Sequence, residues 1–214
     1  MKLILLLLFM PYSAKQDSIP KELLLYGENK QIPNVIKSNV LTALSHYPEL
    51  KDANIEFVFK QKMKKSIMDA QPVFATLLKK KKNRKYRIRI SALMTFTHTA
   101  IPIHQIPDSI MIGWIGHELG HIMDYEQRNF FSMVGFGISY LFSGKFIQKA
   151  ERTADSFAVE HGLGYYIVET KYYILDNADL PQVYKDRIAR LYLSPDDILE
   201  QVKKLEEKKE EGEL

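Results

Sequence analysis

The stretch Gly113-Trp114-Ile115-Gly116-His117-Glu118-Leu119-Gly120-His121 constrains the fold more than any other part of the chain. Ile112, Ile115, Leu119 and Ile122 recur at helical spacing, and Asp108 has the chemistry of an N-cap ahead of them. At 100° per residue this apolar stripe turns away from His117 and His121, which lie four apart and one above the other. Gly113, Gly116 and Gly120 fall between the two faces. Each glycine costs about 1 kcal/mol against alanine in a helix interior. Three together put local propensity in conflict with the fold, unless another backbone must come close. A second helix, from about Gln148 to His161 and closed by Gly162, has small residues at Ala150, Ala154 and Ala158. It is the expected partner.

That second helix also carries Glu151 and Asp155, again four apart. Two imidazoles on one helical face can reach one metal ion, and a neighbouring Glu118 can take a proton from water there without ligating. A tetrahedral catalytic zinc site needs three protein ligands and an open position. Glu151 is the proposed third ligand. Asp155 would accept a hydrogen bond from the outer nitrogen of His117, fixing its tautomer. The expected cofactor is therefore one Zn2+ per chain, which brings the pKa of bound water near 7. The competing readings are two unrelated histidines and two surface carboxylates beside Arg152. The chain has no cysteine, which removes thiolate metal sites, disulfides and a cysteine nucleophile together.

Elsewhere the pattern mixes helix and strand. Val35, Ile36, Val40, Leu41, Leu44 and Tyr47 mark an amphipathic helix from Pro33 to about Leu50. Alternation predicts strands over 54–61 and 86–91, and a third around Thr95, Thr97 and Thr99. Further helices open at Pro181 and Pro195. The fold class is α+β, mainly helical, with a small antiparallel or mixed sheet. Lys2, the apolar run Leu3 to Met10 and Ala14 read as a signal peptide over 1–14, which implies export to the periplasm or beyond. Residues 15–200 are read as one domain and 201–214 as a charged tail, with the helix from Pro195 fraying at Lys208 to Glu211. The net charge of +4 is mild. The basic run Lys79 to Lys85 lacks interleaved aromatic residues, so nucleic acid is not an expected partner. The apolar stretch Phe130 to Phe142 is read as a buried element, with a substrate-pocket wall and peripheral membrane contact through 130–142 as the other possibilities.

Assembled, these residues resemble the gluzincin zinc peptidases, and within them the catalytic core of the HtpX and CAAX-prenyl-protease family. The family's His-Glu-x-x-His pattern is matched by His117 to His121, and its later Glu-x-x-x-Asp by Glu151 to Asp155. The likeness covers roughly Arg84 to Gly162. It implies a zincin-like domain with His117, His121 and Glu151 as ligands, Glu118 as general base and Asp155 behind them. It also implies that strand 86–91, through Tyr86, Ile88 and Ile90, is the edge strand that holds an extended substrate by main-chain pairing. The family's membrane members have transmembrane helices, and none is evident here.

The function expected is zinc-dependent endopeptidase cleavage of protein or peptide substrates. The alternatives are a non-catalytic zinc-binding protein and a membrane-surface adaptor. The oxyanion-stabilising donor stays open among His161, Tyr165, Tyr166, Tyr172 and Tyr173, each of which has a packing role as its simpler reading. His46, His98 and His104 are read as surface or structural. Trp114, one turn before His117, either lines the cleft or packs.

Overall fold

The computed structural model describes residues 19–61, 63 and 66–212. The signal peptide assigned to 1–14 lies outside them. A short helix α1 (Lys21–Leu24) and strand β1 (Lys30–Gln31) precede α2 (Lys37–Ser45), β2 (Asn54–Lys60), β3 (Met68–Pro72) and β4 (Lys85–Ser91). A hairpin of β5 (Leu93–Thr95) and β6 (Ala100–Pro102) leads into α3 (Asp108–Gln127). Five helices follow: α4 (Phe130–Phe142), α5 (Gly144–Glu160), α6 (Gly164–Leu175), α7 (Gln182–Leu191) and α8 (Pro195–Glu210). The class is α+β, predominantly helical, with a small mixed sheet.

The main sheet has the order β1-β2-β4-β3. β2 runs parallel to β1 and β4, while β3 is antiparallel to β4 and forms an outer edge. Alternation decides the faces. Ile55, Phe57, Tyr86, Ile88 and Ile90 are buried, whereas Glu56, Arg87, Arg89 and Asp69 share the half-buried face in ion pairs of 2.7 Å. Thr95 belongs to the separate hairpin; Thr97 and Thr99 lie in its turn.

Helix α3 is the axis of the domain, with α2, β3, α5 and α6 packed around it. Every residue from Ile110 to Ile122 is buried. The expected division into a core stripe and a histidine face is therefore too simple, because this helix has no solvent side over that span. Its glycines explain how it fits. A Cβ at Gly120 would collide with the Ala154 carbonyl of α5, one at Gly116 with the Leu163 side chain, and one at Gly113 with Tyr166 and Thr170 of α6. The glycine ridge thus receives two helices rather than the one expected. Gly162, at φ 77°, turns the chain out of α5 as a left-handed terminator.

Three further expectations are corrected. Asp108 is the first helical residue and does not cap; Pro107 takes the cap position, and the Asp108 carboxylate accepts a 2.8 Å bond from Asn39 Nδ2. The supposed tail is helix as far as Glu210. Ser194 and Asp197 form a reciprocal capping box, and Ile198 and Val202 are buried. The apolar stretch 130–142 forms helix α4, and only part of it is buried. Met133 and Phe136 face inward, but Phe131, Ile138 and Phe142 are exposed. Its apolar residues exceed what one contact face can cover.

No single helix among the described residues is long and apolar enough to cross a membrane. The pair α4 and α5 meets that test by length and composition but bends by 119°. Most of the inward face of α5 lies in the domain core, with Ala150, Glu151, Ala154, Asp155 and Ala158 buried.

Candidate metal centre

Helix α3 delivers His117, Glu118 and His121, and the close approach at Gly120 brings α5 near enough to deliver Glu151 and Asp155. All five are buried. Nε2 of His117 is 3.1 Å and Nε2 of His121 is 3.2 Å from the same oxygen, Glu151 Oε2. Ligand atoms about 2 Å from a tetrahedral ion stand roughly 3.3 Å apart, close to the two nitrogen–oxygen separations here. The three atoms lie within 4.8 Å of one another, and the cluster could bind a metal ion.

The surroundings orient two of these side chains, His117 and Glu151. His117 Nδ1 donates to Asp155 Oδ1 at 2.8 Å, so that loss of the other ring proton frees the Nε2 lone pair toward the centre. The other Asp155 oxygen accepts from Lys171 Nζ at 2.9 Å and from the Leu193 amide at 3.0 Å. Lys171 is itself buried on α6 and sits 4.1 Å over the Tyr192 ring. Tyr140, from α4, donates its hydroxyl to Glu151 Oε1 at 2.9 Å. Glu151 is thus held by one oxygen while the other faces the imidazoles.

The charges follow from this arrangement. Burial disfavours the His117 imidazolium, but Asp155 and Glu151 outweigh it and carry the group up to about 10 in the metal-free site. Burial opposes ionisation of Glu151 too, yet His121 and His117 hold it well below the usual carboxylate range. Asp155 stays low because Lys171 and His117 outweigh its burial. Lys171 is drawn below its ordinary value by burial, with Asp155 resisting. Glu118 differs from all of these. Burial pushes it up to about 7, only partly offset by the two histidines, and its Oε2 is buried without a hydrogen-bond partner among the described residues. Such an oxygen is costly to leave without a partner, and its carboxyl group feels the charges of His121, His117 and Glu151.

A cavity opens onto His117 and Glu118, lined also by Met68, Trp114, Tyr184 and Arg187. The sequence reading did not single out Tyr184, Arg187, Tyr192, Lys171 or Tyr140. The oxyanion candidates it named lie elsewhere. His161 stacks on Tyr47 at 4.3 Å and faces Glu49, Tyr165 and Tyr172 are exposed, Tyr166 packs against Gly113, and Tyr173 meets Trp114 edge-on. His46 is half-buried and donates to or accepts from no metal site; its Nδ1 bonds the His161 carbonyl at 2.9 Å. His98 and His104 are exposed.

Tyr86, Ile88 and Ile90 are not placed for substrate. They are fully buried on β4, which is flanked on both sides by β2 and β3. The edge strand beside α3 is β3. Ile67 and Val73 bond across to β4, so by alternation the main-chain groups of Met68, Ala70 and Pro72 point outward. The Ala70 carbonyl accepts from Tyr125 Oη at 3.1 Å.

Comparison of the chain with known protein families, with curated proteins and with solved structures finds no match. The functional reading therefore rests on the geometry of this site.

Proposed function

We propose that this chain is a zinc-dependent endopeptidase of the gluzincin type, with a zincin-like core formed by α3, α5 and the edge strand β3. The observation that carries the reading is the convergence of His117, His121 and Glu151 beside a buried, unpartnered Glu118 oxygen. Two nitrogens and one carboxylate oxygen are a donor set that suits zinc. A bound zinc ion would supply Lewis acidity at the scissile carbonyl and lower the pKa of water at the open position.

The protein's own groups do the rest. Glu118, at about 7, takes a proton from the attacking water at neutral pH and passes it to the leaving amine. Asp155 keeps the His117 tautomer fixed, and Tyr140 keeps Glu151 turned inward. Arg187 lines the same cavity with a buried Nε that lacks a partner among the described residues. It is the donor best placed to stabilise negative charge developing on the substrate carbonyl. Met68 and Ala70 offer outward main-chain groups to an extended substrate.

The exposed apolar side of α4 supports peripheral membrane contact, and the N-terminal leader supports an exported location. Vesicle co-sedimentation and N-terminal sequencing of the mature protein test these two points.

The function is tested by incubating purified protein with an unfolded protein substrate before and after chelation. Cleavage that is lost on chelation and restored by one equivalent of zinc supports the reading. Binding of one zinc without cleavage would favour a structural metal site.

A further inference from the structure

The connection between β3 and β4 combines positive charge and exposed apolar surface that the metal centre does not use. No aspartate or glutamate occurs between Asp69 and Asp108, and Lys79, Lys80, Lys81, Lys82 and Lys85 fall inside that stretch. All five lysines are exposed. Among the described residues none of them forms an ion pair. The segment has a fixed fold. The Val73 amide donates to the Lys85 carbonyl at 2.8 Å, the Lys85 amide to Thr76 Oγ1 at 3.0 Å, and Thr76 Oγ1 to the Val73 carbonyl at 2.7 Å. Leu77 is buried and anchors it, while Phe74 and Leu78 are 75% and 80% exposed. Buried Arg84 donates from Nη1 to the Arg128 carbonyl at 2.7 Å, which fixes the end of the segment beside the start of α4.

We infer that the segment Val73–Lys85 is a docking loop for an anionic lipid surface. Phe74 and Leu78 enter the headgroup region, and the lysines lie against the phosphates. The inference deepens the peripheral membrane contact proposed for α4, naming the lipid and a second point of attachment, and it needs no metal. Charge complementarity commits the occupant. A single exposed apolar residue is ordinary, but here two of them adjoin an unbroken run of lysines. Juxtamembrane lysines gain from the negative surface potential of anionic lipid, and apolar side chains beside them gain by burial there. Nucleic acid would satisfy the lysines but would give Leu78 no ring-to-base stacking. One signal holds a protein to a bilayer weakly and two hold it firmly. The exposed Phe131, Ile138 and Phe142 of α4 are the second signal.

The test is co-sedimentation of the purified chain, with and without zinc, with vesicles of phosphatidylcholine alone or mixed with phosphatidylglycerol. Wild type should bind the mixed vesicles at least about tenfold more tightly, with or without zinc, and the advantage should shrink in about 0.5 M salt. Lys80→Gln with Lys81→Gln should weaken binding to mixed vesicles by about tenfold or more, and Leu78→Ser by about tenfold. All three residues are exposed, so melting temperature, zinc content and cleavage of a soluble unfolded substrate should not change. Phe131→Ser reports on the α4 contact alone. Equal affinity for the two vesicle types, or binding to mixed vesicles that neither loop variant weakens, would overturn the docking loop. If Phe131→Ser lowers that binding while the loop variants do not, the α4 contact stands and the loop falls. Single-stranded polyuridylate bound more tightly than the vesicles, and lost in the lysine variant, would also overturn it in favour of nucleic acid.

Discussion

Replacing Lys171 with methionine separates a supported site from a merely assembled one. The Lys171 and Asp155 side chains are 5% and 0% exposed and meet at 2.9 Å. Methionine keeps most of the apolar stem and removes the ammonium. Asp155 Oδ2 then retains the Leu193 amide alone, and a buried carboxylate loses its counter-charge. Breaking a buried pair in this way costs about 3–5 kcal/mol. The lower end applies here, because His117 Nδ1 and the Leu193 amide continue to stabilise the carboxylate. Urea unfolding of the metal-free protein should show a loss of about 3 kcal/mol. Coupling to Asp155→Asn in a double-mutant cycle should exceed about 1 kcal/mol. Zinc affinity should fall by roughly tenfold or more, since His117 loses its fixed partner geometry. A stability loss below about 1 kcal/mol with zinc affinity unchanged would refute the argument that Lys171 supports the centre.

The remaining expectations concern the same centre and its frame. Gly120→Val should drive α5 away from α3, because its side chain meets the Ala154 backbone; bound zinc after purification should drop sharply, and unchanged zinc content would break the link between helix packing and the metal. Tyr140→Phe should weaken zinc binding by about tenfold with little loss of fold, because it frees only one Glu151 oxygen; competition with a chromogenic chelator measures this. In the metal-free protein His117 titrates near 10, so zinc binding at pH 7 should release about one proton, measured calorimetrically in buffers of different ionisation enthalpy. The same raised pKa stabilises the metal-free fold most fully below the unfolded value of about 6.5, and that contribution is lost as pH rises through about 10. Ser194→Ala should remove half of the α8 capping box and cost about 1 kcal/mol by thermal or urea unfolding.

His117, Glu118, His121, Glu151 and Asp155 were legible because helical spacing alone stacks residues four apart. The three glycines were legible because they break a local rule, and the structure gives the reason in the backbones that approach them. The identity of the edge strand was not legible. Alternation marks Lys85–Ser91 as a strand but is silent on its neighbours, and β3, with a proline and an aspartate, hardly alternates at all. Lys171 could have been found: it lies on one helical face with Ile167 and Ile174, so an ammonium falls in an apolar stripe. Tyr140, Arg187 and Tyr192 carry no such signal, because each comes singly from its own element and only tertiary packing brings it to the site. Helix α4 was only partly legible, because a run apolar apart from Ser132, Ser139 and two glycines has no clear period to say which face is inside.

The central claim is that Glu118 moves protons beside a metal held by His117, His121 and Glu151. Wild type and Glu118→Gln should be compared on the same unfolded protein, with zinc measured in both. The substitution keeps the shape of the side chain and removes its basicity. Equal zinc with cleavage in wild type alone is the expected result. Equal cleavage by both proteins would contradict the account.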